Sequence, residues 1–377
     1  MDILHLFSQG VTQFSIAIIG FVILMSIVVF IHEFGHYYVA RLCGVKVLDF
    51  SIGFGKKILS RQDKHGTNWS VSLIPMGGYV KFSGDRSVAS EEDIEELSQL
   101  SDVEKKETFY FKSIWQKMAI IIAGPLANII LCFLLMFSIS FFNGVFSVKP
   151  IIENVIADRA ASRNGLQSGD VFTHINGRSI ESAQQVKQFV SASFGDPLNF
   201  IVLRNNKDAL SLSFAPDMIA AEGNLQMPMI GVVFSNNKEN VYMSQYNIVD
   251  ASYKALQDTI FVAEITGKFF KRLFLGRAEL DNISGPLKIG DAAGSALQTG
   301  FWQFILLMAL ISMSIGLVNL LPVPMLDGGH LFFYMLEVVG LKANSKVRET
   351  AFKAGFILVI MVMIFTVIND IITIGWR

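Results

Sequence analysis

Ile31-His32-Glu33-Phe34-Gly35-His36 closes an uncharged stretch, Phe14 to Ile31, that is long enough to cross a bilayer. Ionisable side chains at membrane depth are costly, and three of them fall here within five residues. On a helix, His32 and His36 share one face, so two imidazoles reach one Zn²⁺ while Glu33 stands beside them as a general base for water. The pattern points to hydrolysis inside a membrane. The competing reading is a capping cluster at the cytosolic end of an ordinary span.

Composition separates two environments. Hydrophobic residues make up 52% of the chain, yet 17% are charged, too many for a protein made only of spans. A net charge of −1 offers no basic surface for nucleic acid. Cys43 and Cys132 supply neither a disulfide framework nor a cysteine-rich zinc site. Met1 to Phe14 contains no Lys or Arg, so the N-terminus makes a poor cleavable signal and the first span is expected to be retained.

Four spans are predicted, about Phe14 to Val39, Met118 to Phe142, Phe301 to near Leu321, and Phe352 to Ile368. Arg41, Lys46, Lys56 and Lys57 follow the first, and Lys342, Lys346 and Arg348 lie between the last two. Both loops are therefore expected in the cytosol, with the segment 143 to 300 on the other side. His36 precedes Arg41 by about 8 Å of helix, which sets the metal site nearer the cytosolic surface than the midplane.

A second cluster, Asn319-Leu-Leu-Pro-Val-Pro-Met-Leu-Asp327-Gly-Gly-His330, breaks the third span with two prolines and a glycine pair. Such a break is tolerated at membrane depth where it is buried in protein or lines a watery cavity. A catalytic zinc takes three protein ligands and keeps one open position. Asp327, the only acidic residue between Asp291 and Glu337, is the natural third ligand. Alternatively it caps a helix running from Gly328 to Leu336, with the prolines as a plain kink. His330 is read as a partner of the site rather than a ligand.

These motifs, with Ala123-Gly-Pro-Leu-Ala-Asn128 entering the second span, resemble the site-2 protease family of intramembrane zinc metalloproteases, and most closely its bacterial regulator-of-sigma-E type. The resemblance covers nearly the whole chain. It implies zinc held by His32, His36 and Asp327, Glu33 as the catalytic residue, and Asn319 near the substrate or the oxyanion.

Val45 to Leu59 and Trp69 to Phe82 alternate apolar and polar residues around turn glycines and predict short strands or hairpins, either a connector or an edge that holds an unwound substrate by β-augmentation. Glu91 to Glu107 reads as a solvated acidic stretch. Between spans two and three, strands at Pro150 to Val155, Val171 to Ile175 and Leu198 to Arg204, a helix near Ser182 to Ser193, and Gly165-Leu-Gln-Ser-Gly-Asp170 resemble one circularly permuted bacterial PDZ domain. No second Gly-Leu-x-x-Gly-Asp follows between 216 and 300, unlike family members with tandem PDZ domains. Asn247 to Leu275 is amphipathic and suits the membrane surface or the side of that domain.

The fold class expected is thus a multi-pass α-helical membrane protein of four transmembrane helices, with a cytosolic membrane-associated β-hairpin or sheet and an inserted α+β PDZ domain. The expected divisions are the first helix with its metal motif (1–40), the cytosolic strand-bearing loop (41–116), the second helix (117–143) and a periplasmic PDZ domain (144–235). An amphipathic periplasmic segment (236–299), the broken third span (300–340), and a loop with the fourth helix (341–377) follow. The resemblance implies a monomeric zinc endopeptidase of the bacterial inner membrane whose partners are the lipid bilayer and single-span substrates already shortened on the outer side, anti-sigma factors or remnant signal peptides. Two other classes compete, a catalytically silent PDZ scaffold and a zinc-handling transporter. Intact Glu33 argues against the first and a single metal cluster against the second.

Overall fold

The computed structural model describes residues 3–84, 100–205, 207–220, 226–235, 237–276, 285–341 and 344–374. It divides into two compact units, one of Met1–Ser138, Tyr253–Glu279 and Ile283–Ile374, the other essentially Ile139–Ser252. The chain opens with helix α1 (Ile3–Leu42), a hairpin of β1 (Val47–Gln62) and β2 (Asn68–Phe82), a short helix α2 (Asp102–Glu107) and α3 (Ile114–Ser138). Residues 91–99 of the acidic stretch lie outside the described residues. The second unit then carries β3 (Val145–Val148), β4 (Ile152–Val155), α4 (Ala160–Arg163), β5 (Val171–Ile175), β6 (Arg178–Ser179) and α5 (Ala183–Ser191). It continues with β7 (Leu198–Arg204), β8 (Asp208–Phe214), β9 (Asp217–Ala220), β10 (Gln226–Met229), β11 (Val232–Phe234) and β12 (Val241–Ser244). The last helices are α6 (Ile248–Phe274), α7 (Pro286–Thr299), α8 (Phe301–Asn319), α9 (Asp327–Val338) and α10 (Ser345–Ile374).

Among the described residues four helical segments are long and apolar enough to cross a membrane, Thr12–Leu42, Ile114–Asn143, Phe301–Asn319 and Lys346–Thr373. They contain the first, second and fourth stretches read from hydropathy, while the third, read to near Leu321, ends as helix at Asn319. On α10, Phe356, Ile357, Met361, Val362, Ile364 and Phe365 are all exposed, an unbroken apolar face that suits lipid and not water. Small residues let the other helices approach closely, since little else drives helices together in lipid. A Cβ on Gly35 of α1 would stand 2.3 Å from the Ala123 carbonyl oxygen of α3, and one on Gly316 of α8 would stand 3.0 Å from the Pro125 oxygen. Gly20 of α1 meets Ala293 of α7 in the same way, at 2.9 Å.

The expected short strands are one long antiparallel hairpin, β1 against β2, with repeated register shifts between Val47 and Leu59. Gly53 and Gly55 take φ of +87° and +88°, which lets the ribbon bulge and twist where other residues would strain it. Its base is fixed by Phe50, which is fully buried, stacks on Trp69 at 4.3 Å and packs with Ala40, Ile120 and Tyr334.

The second unit is built on a four-stranded antiparallel sheet ordered β6-β5-β7-β8, with the pairs β9–β10, β4–β11 and β3–β12 beside it among the described residues. Phe172, Ile175, Phe200, Val202 and Val186 form its core, and the strands and helix predicted from the sequence between 150 and 204 coincide with β4, β5, α5 and β7. Gly165 and Gly169 turn the chain with positive φ so that Asp170 folds inward. Arg204 donates to both Asp170 oxygens, at 2.9 and 2.8 Å, and the Gln167 N–H donates at 2.9 Å. Burial pushes the Asp170 carboxyl up, but the Arg204 guanidinium and the backbone donor outweigh it and hold it below the usual carboxylate range. The stabilisation is therefore fully present above about pH 4, the unfolded aspartate value, and is lost as pH falls through the lower folded value. Asp170→Asn is expected to cost this unit about 2–3 kcal/mol and to flatten the acid limb of its stability curve, read by thermal unfolding against pH.

Candidate metal centre

One face of α1 carries His32 and His36, and the start of α9 brings Asp327 to them. His32 Nε2 and His36 Nε2 lie 3.3 Å apart, and Asp327 Oδ2 lies 3.1 Å from the first and 3.4 Å from the second. A tetrahedral zinc with ligand bonds of about 2.0–2.1 Å sets its ligand atoms about 3.3–3.4 Å apart. Two imidazole Nε2 atoms 3.3 Å apart, and a buried Asp327 Oδ2 without a hydrogen-bond partner, are what a shared cation explains. Among the described residues this is the one group of three metal-ligating side chains.

Asp327 is the first residue of α9 rather than its cap. Leu326 holds the cap position without a side-chain bond, so the carboxylate is left to face the histidines. The prolines end α8, Met325 adopts φ +88°, and the chain doubles back. Gly328 and Gly329 permit this, because a Cβ on either would stand 2.2 Å from the Leu321 oxygen or 2.4 Å from the Val323 oxygen.

The surroundings orient the imidazoles. His36 Nδ1 donates to the Ile120 carbonyl at 2.9 Å, which leaves Nε2 with its lone pair toward the carboxylate. Asn128 Nδ2 lies 3.3 Å from His32 Nδ1, and Asn319 Nδ2 lies 3.1 Å from His32 Nε2. The three histidine and aspartate side chains, with Glu33, Asn319 and Gly78 of β2, line one cavity of about 590 Å³. A Cβ on Gly78 would stand 2.9 Å from Glu33 Cγ, so strand β2 passes directly beside that carboxylate. His330 lines the same cavity but packs against Phe352, with ring centroids 4.4 Å apart and the planes tilted by 37°.

The sequence brought forward His32, Glu33, His36, Asn319 and Asp327, and all five meet at this cavity. It brought Asn128 forward only as the end of the motif entering the second span, with no role at the metal, and did not bring forward the Ile120 carbonyl. The signal available was the Gly124-Pro125 pair, two poor helix formers buried inside α3, where a small residue lets a neighbouring helix approach. A Cβ on Gly124 would stand 2.2 Å from His36 Nε2. Gly124→Ala is therefore expected to displace that ring and weaken metal binding about 10- to 100-fold with helix content unchanged, measured by metal titration beside circular dichroism.

Comparison with known proteins agrees with this geometry. The model of Peptidase family M50 matches residues 20–362. The chain belongs to that family, the site-2 proteases. A protein of Mesorhizobium japonicum named for zinc metalloprotease activity is 39% identical over 94% of this chain and 98% of its own length. A similarly named protein of Brucella suis is 38% identical over 94% of both chains. The metalloprotease MmpA of Caulobacter vibrioides is 32% identical over 95% of this chain and 96% of its own. The M50 chain is thus a membrane metalloprotease, as its motifs implied, and zinc, the metal in its relatives' names, fits the His-His-Asp group.

Proposed function

We propose that this M50 protease is an intramembrane zinc endopeptidase that cuts the transmembrane segments of single-span proteins. The observation that carries the reading is the triangle of His32, His36 and Asp327 ligand atoms, with edges of zinc-site length, set among helices whose outer faces are apolar. Bound there, zinc supplies the positive charge that acidifies water and polarises a peptide carbonyl. Glu33 takes the proton from the attacking water as its oxygen bonds to the carbonyl carbon, and returns it to the departing amine as the C–N bond breaks. Asn319, an amide donor at the cavity wall, steadies the substrate backbone or its developing oxyanion.

A transmembrane helix keeps its carbonyls bonded, so hydrolysis requires an extended segment. Strand β2 beside Glu33 offers an edge on which such a segment can lie. The remaining assignments follow the resemblance: residues 144–235 as a periplasmic PDZ domain, the inner membrane as the site of action, and substrates already trimmed outside, in regulated intramembrane proteolysis. The test is purified full chain in proteoliposomes with a synthetic transmembrane peptide, products read by mass spectrometry. Cleavage inside the apolar stretch, lost on chelation and restored by zinc, is the expected result. Intact peptide in the presence of stoichiometrically zinc-loaded protein would overturn the reading.

A further inference from the structure

We propose that Asn128 is a positioning residue for the metal, acting as the hydrogen-bond acceptor that fixes His32. Its side chain is fully buried on α3, and its Oδ1 has no hydrogen-bond partner. Its carboxamide is the group that faces His32 Nδ1, at 3.3 Å. A neutral imidazole has one N–H and one lone pair. Once Nε2 gives its lone pair to a cation, Nδ1 must carry the proton, and a protonated Nδ1 cannot face an NH₂ group. Half a turn about the terminal torsion of Asn128 brings Oδ1 to that place, where it accepts the proton without moving the backbone. Metal binding at Nε2 and the orientation of the Asn128 amide are therefore coupled.

The backbone around Asn128 is held for this purpose from the far side. Ser312 Oγ of α8 donates to the Asn128 carbonyl at 2.8 Å, and Gly316, one turn on, leaves 3.2 Å between its own absent Cβ and the Asn128 Cβ. His36 shows the same arrangement completed by main chain, its Nδ1 donating to the Ile120 carbonyl. Both imidazoles thus have α3 acceptors behind them, one a peptide group and one a side chain.

The inference rests on the zinc reading of the site, and the experiment separates the two. Zinc affinity by chelator competition, and the visible spectrum of the cobalt(II)-loaded form, are measured on full-length protein in detergent for wild type, Asn128→Asp, Asn128→Leu and Asp327→Ala. Asn128→Leu is expected to bind zinc about 10- to 100-fold more weakly. Asn128→Asp, a carboxylate that only accepts, is expected to bind at least as tightly as wild type, with a shifted cobalt band from the more basic imidazole. If Asn128 instead donates to Nδ1, Asn128→Asp loses affinity, and that result overturns the proposal even where Asn128→Leu does not fold. Wild-type affinity in Asn128→Leu overturns it as well. Retention of zinc by Asp327→Ala would overturn the underlying site assignment instead.

Discussion

Asp327→Ala is expected to lower zinc affinity by at least about 100-fold and to abolish peptidase activity at ordinary zinc concentrations. The variant leaves two neutral imidazoles and removes the one anionic donor, whose Oδ2 lies 3.1 and 3.4 Å from their Nε2 atoms. Among the described residues lining the cavity the other acidic one, Glu33, is assigned to proton transfer, and His330, which packs on Phe352, brings no negative charge. Asp327→Asn tests charge separately from shape and is expected to fall between wild type and alanine. Metal content after dialysis against a weak chelator, with circular dichroism as the control for folding, decides it. Stoichiometric zinc at wild-type affinity in both variants would remove Asp327 from the ligand set.

Glu33→Gln separates binding from chemistry. The amide matches the carboxylate in shape and can keep its place against Gly78, but it cannot accept a proton. Zinc content should stay at the wild-type level while the rate of peptide cleavage falls by about 10²- to 10⁴-fold. The two variants then differ in kind, one losing metal and activity together and the other activity alone. Cleavage by Glu33→Gln near the wild-type rate would exclude Glu33 as the base.

How far the sequence carried depended on where each contact is made. His32 and His36 were legible because their proximity is a property of one helix, four residues along α1. Asp327 was legible by a different route, as the lone acidic residue in a span that prolines and glycines interrupt. That it begins α9 instead of capping it is fixed by the turn at Met325 and the glycine contacts, which no local pattern announces. Asn128 and the Ile120 carbonyl owe their roles to the approach of α3 to α1, set by tertiary packing at Gly35 and Gly124. Helix α7 was also unread. Its buried face is Gly290, Ala293 and Gly294, residues too small to produce a strong apolar period. The hairpin was read as strands but not as one ribbon from Val47 to Phe82, since its bulges break the alternation that length would be judged by.

The proposed ligands are far apart along the chain, Asp327 following His36 by 327 − 36 = 291 residues. At typical rates of synthesis this interval takes roughly 15–60 s. Throughout it the growing chain already displays two histidines and a glutamate in its first span, yet lacks the anion and the folded-back turn that complete the centre. On the proposed ligand set the centre is complete only once Asp327 has been made, so metal acquisition follows synthesis of the first span by that interval.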